Sequence, residues 1–279
     1  MSADLQHLDR PDGHLAYTVT GAGPLVIASP GMGDLRTVFR DVVGPLVAAG
    51  FRVACVDLRG HGASATTFRA HGTGPTASDP AALVEHLGGP AVLIGHSISA
   101  GSAAIVAAER PELVSALVML DPHLQIHPAG LMARLQTQLI RRPFGAAAWT
   151  AYYRSLHRGR RAPWFDEHVA AVHAALRDPG RMRSFGALAR ALVGSPTPVP
   201  VERVTAPTLV VHSERDPEFA DPAGELAYAL AHLTSSTRTV GLLVPDAGHY
   251  PHSQRPDLLV PAVLDLITAM RGSSGTTHA

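Results

Sequence analysis

Short apolar runs bounded by Gly or Pro recur along the chain at Leu25 to Ala28, Arg52 to Val56, Ala91 to Ile94, Ala116 to Leu120, Thr208 to Val211 and Thr239 to Val244. Most are apolar throughout rather than at alternate positions, the pattern of strands covered on both faces. Segments of helical length lie between them: Val38 to Ala49, Pro80 to Leu87, Ser97 to Glu109, Pro222 to Leu233 and Pro256 to Met270. Strands and helices in this alternation bury both faces of the strands when they form a parallel sheet with helices on each side. The rhythm therefore predicts a doubly wound α/β fold. Leu5 to Thr20, with Pro11-Asp12-Gly13 at its centre, reads as an antiparallel hairpin on one edge of that sheet.

The alternation breaks between about His123 and Pro200. Leu131, Leu135 and Leu139 follow a helical period, and the pairs Arg141-Arg142 and Arg160-Arg161 are interleaved with Phe144, Trp149, Tyr152, Tyr153, Trp164 and Phe165. This stretch is expected to be a helical lid, closed by the proline-rich Gly194 to Pro200, which suits neither a helix nor a central strand. The expected division is a core of residues 1–122, a lid of 123–200, a second part of the core at 201–270, and a disordered Gly/Ser/Thr tail at 271–279.

Of the 279 residues, 23 are basic and 23 acidic, which leaves no global field to hold nucleic acid or an anionic membrane. No lysine occurs, so a Walker A loop, a Schiff base and a Ser-Lys dyad are all excluded. The single cysteine, Cys55, cannot form an internal disulfide and reads as a buried small hydrophobe. The histidines show no metalloprotease spacing and there is no cysteine cluster, so neither a metal nor a cofactor is expected. The first ten residues lack the basic start and apolar core of a secretion signal, and the expected location is cytoplasmic. The uncharged stretch Ala91 to Ala108 reaches membrane-span length, but its Gly95, His96, Ser97, Ser99, Gly101 and Ser102 read better as a strand turning into a small-residue helix.

That turn, Leu93-Ile94-Gly95-His96-Ser97-Ile98-Ser99-Ala100-Gly101, is the strongest local signal. A serine between an apolar strand and a small-residue helix can sit on a tight elbow if the residues two before and two after it are small. Gly95 and Ser99 meet this condition. The competing reading of Ser97 is an ordinary helix N-cap.

With this elbow the chain resembles the α/β-hydrolase superfamily. Ser99 stands where the usual pattern has Gly. The resemblance implies an α/β-hydrolase fold: a mostly parallel eight-stranded sheet, helices on both faces, and a helical lid inserted after strand 6. It also implies a nucleophile, an acid and a histidine in that order along the chain. Thr208 to Val211 runs into His212-Ser213-Glu214-Arg215-Asp216-Pro217, and Asp246-Ala247-Gly248-His249 follows the last strand. Ser97, Asp216 and His249 are thus the expected triad. Asp121, at the end of another strand, remains a rival acid beside Glu214, and His252 a rival to His249. The resemblance further implies an oxyanion hole of backbone NH groups from Ile98 and from the Ser29-Pro30-Gly31-Met32-Gly33 loop, with Met32 as donor. Asp57-Leu58-Arg59-Gly60-His61-Gly62 matches a structural signature of the family and implies bracing rather than chemistry. His123, just past a strand end, is a candidate for the substrate pocket.

The function so implied is a serine hydrolase that cleaves a small or medium, fairly apolar carboxylic ester through an acyl-enzyme. Its only expected partner is a small-molecule substrate, and nothing in the sequence bears on oligomeric state. A carbon-carbon bond hydrolase, a lactonase, a haloperoxidase-like enzyme or a small-molecule receptor of this fold would carry the same residues. Epoxide hydrolases and haloalkane dehalogenases of this fold carry Asp at the elbow, and Ser97 argues against both.

Overall fold

The computed structural model describes residues 4–125, 144–194 and 196–273. Eight strands form one sheet: β1 (Leu5–Arg10), β2 (Gly13–Thr20), β3 (Leu25–Ser29), β4 (Arg52–Val56), β5 (Ala91–His96), β6 (Val114–Leu120), β7 (Thr208–Ser213) and β8 (Thr239–Val244). Their order is β1-β2-β4-β3-β5-β6-β7-β8. The hairpin β1-β2 joins the sheet antiparallel at one edge, and every pairing from β4 to β8 is parallel.

Alternation along the central strands feeds two cores. Val26, Ala28, Val92 and Ile94 face a layer built on helices α1 (Arg40–Ala48) and α9 (Pro256–Ser273). Leu25, Ile27, Ala91 and Leu93 face a layer that includes residues of α2 (Thr73–Leu87), α3 (Ile98–Glu109) and α7 (Pro222–His232). The fully apolar strand runs thus mean one buried face on each side of the sheet. Among the described residues between β6 and β7, helices α4 (Gly145–Leu156), α5 (Phe165–Leu176) and α6 (Pro179–Gly194) extend the first core through Trp149, Tyr153, Phe165 and Phe185. Leu131, Leu135, Leu139 and the Arg141-Arg142 pair lie outside the described residues, as do residues 274–279.

Three expectations need correction. Helix α2 begins at Thr73, seven residues before the proline expected to start it. Pro80 instead sits inside the helix. An interior proline costs about 3 kcal/mol, and tertiary contacts offset it here: Asp79 is buried against Arg59, with both oxygens at 2.7 Å, and Ser102 Oγ donates to the Thr73 carbonyl at 2.8 Å. Second, α9 continues to Ser273, three residues into the expected tail, because no proline stops it and one glycine costs a helix only about 1 kcal/mol. Third, a short helix, α8 (Pro251–Gln254), follows His249 without having announced itself in the sequence.

The stretch Ala91 to Ala108 forms β5, the elbow and most of α3. Among the described residues no helix is long and apolar enough to cross a membrane. Cys55 is buried in β4, and desolvation pushes its thiol pKa up to about 12.

Candidate active site

Parallel strands place their C-terminal ends on one edge of the sheet, and the candidate residues occupy the loops there. Ser97 lies between β5 and α3 with φ 53° and ψ −119°, a conformation that costs a non-glycine residue on the order of 1–3 kcal/mol. The Ser97 amide donates to the Leu120 carbonyl at 2.8 Å, which anchors the turn to the end of β6. A Cβ at Gly95 would stand 2.3 Å from the Ser99 carbonyl oxygen, so the strand can approach the helix this closely only through glycine. Ser99, where the family pattern has Gly, directs its hydroxyl to the Pro30 carbonyl at 2.6 Å. The departure from the pattern therefore ties α3 to the loop after β3.

Several groups hold that loop. The Gly33 carbonyl accepts from Trp149 Nε1 at 3.1 Å, and Gly33 has φ 72° with no room for a Cβ, which would lie 2.4 Å from the Trp149 ring. Asp34 is fully buried. One oxygen receives the Leu35 amide at 2.7 Å and His168 Nε2 at 2.6 Å, and the other receives the Tyr153 hydroxyl at 3.1 Å. Burial works against the Asp34 charge, but His168 and the Leu35 amide outweigh it and hold the carboxyl below its usual range. Among the described residues, neither the Met32 amide nor the Ile98 amide has a hydrogen-bond acceptor. Ile98 is the first residue of α3, whose N-terminal NH groups lack intrahelical partners.

His249 follows β8, and its backbone is clamped. Its amide donates to the Leu156 carbonyl at 3.0 Å, and its carbonyl lies 2.6 Å from His96 Nε2. A Cβ at Gly248 would lie 2.1 Å from the Leu156 oxygen. The imidazole points Nδ1 at Asp216 Oδ2, 2.6 Å away, with both side chains buried.

The rival acid Asp121 lies nearby but is occupied. Its oxygens accept the Ser213 amide at 2.8 Å and the Ser213 hydroxyl at 3.0 Å, while burial and the neighbouring Asp216 charge push its pKa well up. Glu214 is exposed. His252 is fully buried, stacked on Phe39 at 4.7 Å, and burial holds it neutral. Asp57 accepts the amides of Arg36 and Ala63 at 2.8 Å each, and Arg59 grips Asp79; both brace the loop.

His123 also reaches this cluster, through a residue that sequence reasoning passed over. Glu218, two positions after Asp216, places Oε2 2.9 Å from His123 Nε2 and 3.3 Å from His249 Nε2. Its other oxygen accepts the Tyr152 hydroxyl at 2.8 Å, and its amide donates to Asp216 Oδ1 at 2.9 Å. The one available signal was its place in a strand-end loop, two residues beyond the candidate acid.

His249 is consequently held between two carboxylates. Burial alone would lower its pKa, but the charges of Glu218 and then Asp216 outweigh burial and raise it to about 10. Glu218 is likewise held well below the usual carboxylate range: burial opposes the charge, and His249 and His123 overcome it. One atom each of His123, Glu218 and His249 fall within 4.8 Å of one another. Within that spacing His123 is hydrogen-bonded to Glu218, and Glu218 is ion-paired with His249.

A strained serine at a strand-to-helix elbow, backbone NH groups near it without an acceptor among the described residues, and a buried His–Asp pair on the same sheet edge describe the α/β-hydrolase class of protein. The family model for the alpha/beta hydrolase family matches residues 25–262, and the chain belongs to that family. It is 27% identical to the 2-(acetamidomethylene)succinate hydrolase of Mesorhizobium japonicum, over 89% of this chain and 90% of that one. It is also 26% identical to a probable esterase of Oryza sativa subsp. japonica, over 88% and 93%. Among solved structures, a thermophilic esterase from Thermogutta terrifontis superposes with a TM-score of 0.77 at 23% identity, covering 96% of this chain and 99% of that one. An epoxide hydrolase gives 0.79 at 20% identity, covering 96% and 100%. Family membership and these relatives support a hydrolase function.

Proposed function

We propose that this protein is a serine hydrolase acting on small or medium, fairly apolar carboxylic esters. His249 accepts the Ser97 hydroxyl proton, Ser97 Oγ attacks the ester carbonyl, and the Met32 and Ile98 amides stabilise the oxyanion. The protonated His249 then returns its proton to the departing alcohol, leaving an acyl-enzyme. Water, activated by the same imidazole, releases the acid and regenerates Ser97. Asp216 keeps His249 in the tautomer that presents Nε2 and steadies the imidazolium. Helices α4, α5 and α6, within the segment expected as a lid, cover the acyl or alcohol part of the substrate.

The observation that carries this reading is the combination of Ser97 at φ 53° with the 2.6 Å His249–Asp216 bond on neighbouring loops of one sheet edge. Two free amides beside the elbow give it a place for the negative charge that acyl transfer develops, and each such donor is worth about 3–4 kcal/mol in the transition state. A probable esterase among the sequence relatives supports the ester reading.

The test is labelling by a fluorophosphonate probe. Wild type is expected to react and Ser97→Ala to be spared; a mutant that still labels sinks the nucleophile assignment. A chain-length series of p-nitrophenyl esters then reads the substrate class. Loss of the nucleophile should reduce turnover by about 10⁶, the scale seen in subtilisin.

A further inference from the structure

The triad chemistry proposed above requires the Nε2 lone pair of His249 to face Ser97, yet in this structure Nε2 stands 3.3 Å from Glu218 Oε2. Nδ1 is already committed to Asp216, so both ring nitrogens face carboxylates. Such an imidazole is satisfied only when both nitrogens carry a proton. We propose that Glu218 is a positioning residue that gates the base: its carboxylate, fixed by Tyr152 and His123, forms an ion pair with the His249 imidazolium in the resting site and so keeps the proton on Nε2, which withholds that nitrogen from Ser97.

Glu218 is built for this task rather than placed there by chance. Its side chain is only 20% exposed, Tyr152 enters from helix α4, and His123 comes from the loop after β6. Its backbone amide donates to the same Asp216 that orients His249, which fixes the spacing of the two carboxylates around the ring.

The other groups that face His249 leave Glu218 as the partner able to hold Nε2. Asp121 is engaged by Ser213 and pushed towards its neutral form. His96 uses Nε2 on the His249 carbonyl, and burial keeps it neutral. His212 and His157, with pKa lowered to about 4, and His252, also lowered by burial, carry no charge at neutral pH. Tyr250 is buried with its pKa raised and remains a neutral phenol. His123 is 45% exposed and connects the clamp to solvent.

The gate opens when Nε2–H gives its proton to hydroxide or buffer base. The neutral ring then presents a lone pair to a carboxylate, which is repulsive, and to the Ser97 hydroxyl, which is attractive. Base catalysis is therefore weak near neutrality and rises at alkaline pH.

The experiment measures the fluorophosphonate labelling rate and kcat/KM for a p-nitrophenyl ester between pH 5 and 11, alongside the ¹⁵N titration of the His249 ring. Wild type should show an inflection well above the ordinary imidazole value of about 6.5. Glu218→Gln should lower that inflection, and the ring titration with it, by one unit or more, so that labelling at pH 7 accelerates roughly tenfold. Tyr152→Phe leaves the charge beside the ring and should keep the inflection high, which separates gating from a general structural role. An inflection and a ring titration that both stay put in Glu218→Gln overturn the proposal. The inference rests on the Ser97 reading, but the two fail differently. If Ser97 never labels at any pH while the ring titration still shifts, the function is wrong and the clamp stands.

Discussion

Ser99→Ala offers the sharpest test of how the elbow and the loop proposed to supply the Met32 oxyanion donor are joined. The Ser99 hydroxyl is buried and bonds the Pro30 carbonyl at 2.6 Å, two residues before the Met32 amide. Removing it leaves a buried acceptor unpaired, at a cost of about 1–3 kcal/mol. Taking about 2 kcal/mol and roughly 3 °C per kcal/mol for a chain somewhat smaller than this one, the melting temperature should fall by about 6 °C. Ser99→Gly restores the residue usual in the family but adds the helical penalty of glycine, about 1 kcal/mol, and should fall further, by about 9 °C. Labelling should also slow, because Met32 then sits on a less constrained loop; the bound is the loss of one oxyanion donor, about 10²- to 10³-fold. Calorimetry and the labelling rate read the two effects separately. If Ser99→Gly matches or exceeds wild type in both, the serine does not join these loops and the reasoning fails.

Gly95→Ala would drive a methyl to within 2.3 Å of the Ser99 carbonyl oxygen, a backbone atom that cannot step aside. The expected loss is about 1–3 kcal/mol or more of stability together with Ser97 labelling, read by denaturant titration and probe. The folded pKa of His249, near 10, exceeds its unfolded value of about 6.5, so its stabilising contribution is complete below 6.5 and is lost as pH rises towards 10. Melting temperature should therefore decline over the same alkaline range in which activity climbs, and Glu218→Gln should flatten that decline. Asp34 has the opposite sign: its folded pKa is depressed, so its contribution is present above the unfolded value of about 3.9 and is lost as pH falls through the folded one. His168→Ala should shrink that acid-side loss in a series of melts from about pH 5 down to about pH 2, and an unchanged series would show that the buried pair is not what holds Asp34 ionised.

What the sequence disclosed follows from where the backbone constrains residue type. Strands buried on both faces need unbroken apolar runs, and the tight elbow excludes a Cβ at Gly95, so the strands and the elbow left marks readable one residue at a time, whereas the order of the strands in the sheet left none. The acid was harder to assign. β6 and β7 are parallel neighbours with Leu120 opposite Val211, so Asp121 and the loop carrying Asp216 emerge side by side, and only the direction of Nδ1 separates them. Glu218 was illegible because nothing local requires it. Its environment is assembled from Tyr152, His123 and His249, which lie 66, 95 and 31 residues away along the chain. The start of α2 was missed for a related reason: Pro80 reads as a boundary until the Arg59–Asp79 pair and the Ser102–Thr73 bond are seen to hold the preceding turns.

Helix α4 joins the two halves of the site. Trp149 and Tyr153 hold the Gly33 carbonyl and Asp34 on the side of the proposed oxyanion hole, while the intervening Tyr152 holds Glu218 on the side of the proposed base. Tyr152 and Tyr153 are consecutive, and successive helical residues project about 100° apart, so one rigid helix can serve both loops only at a particular depth and rotation. A substrate that displaces α4 outward would lengthen the Tyr152–Glu218 bond and loosen the Trp149–Gly33 bond together, relaxing the Gly33 loop while the Glu218 charge stays beside the base. A substrate that fits beneath it leaves the oxyanion amides in place and must meet Glu218 directly. The second class favours kcat, because the proposed oxyanion donors stay preorganised. A cationic or hydrogen-bond-donating group placed against Glu218 could then take over the role of the His249 Nε2 proton.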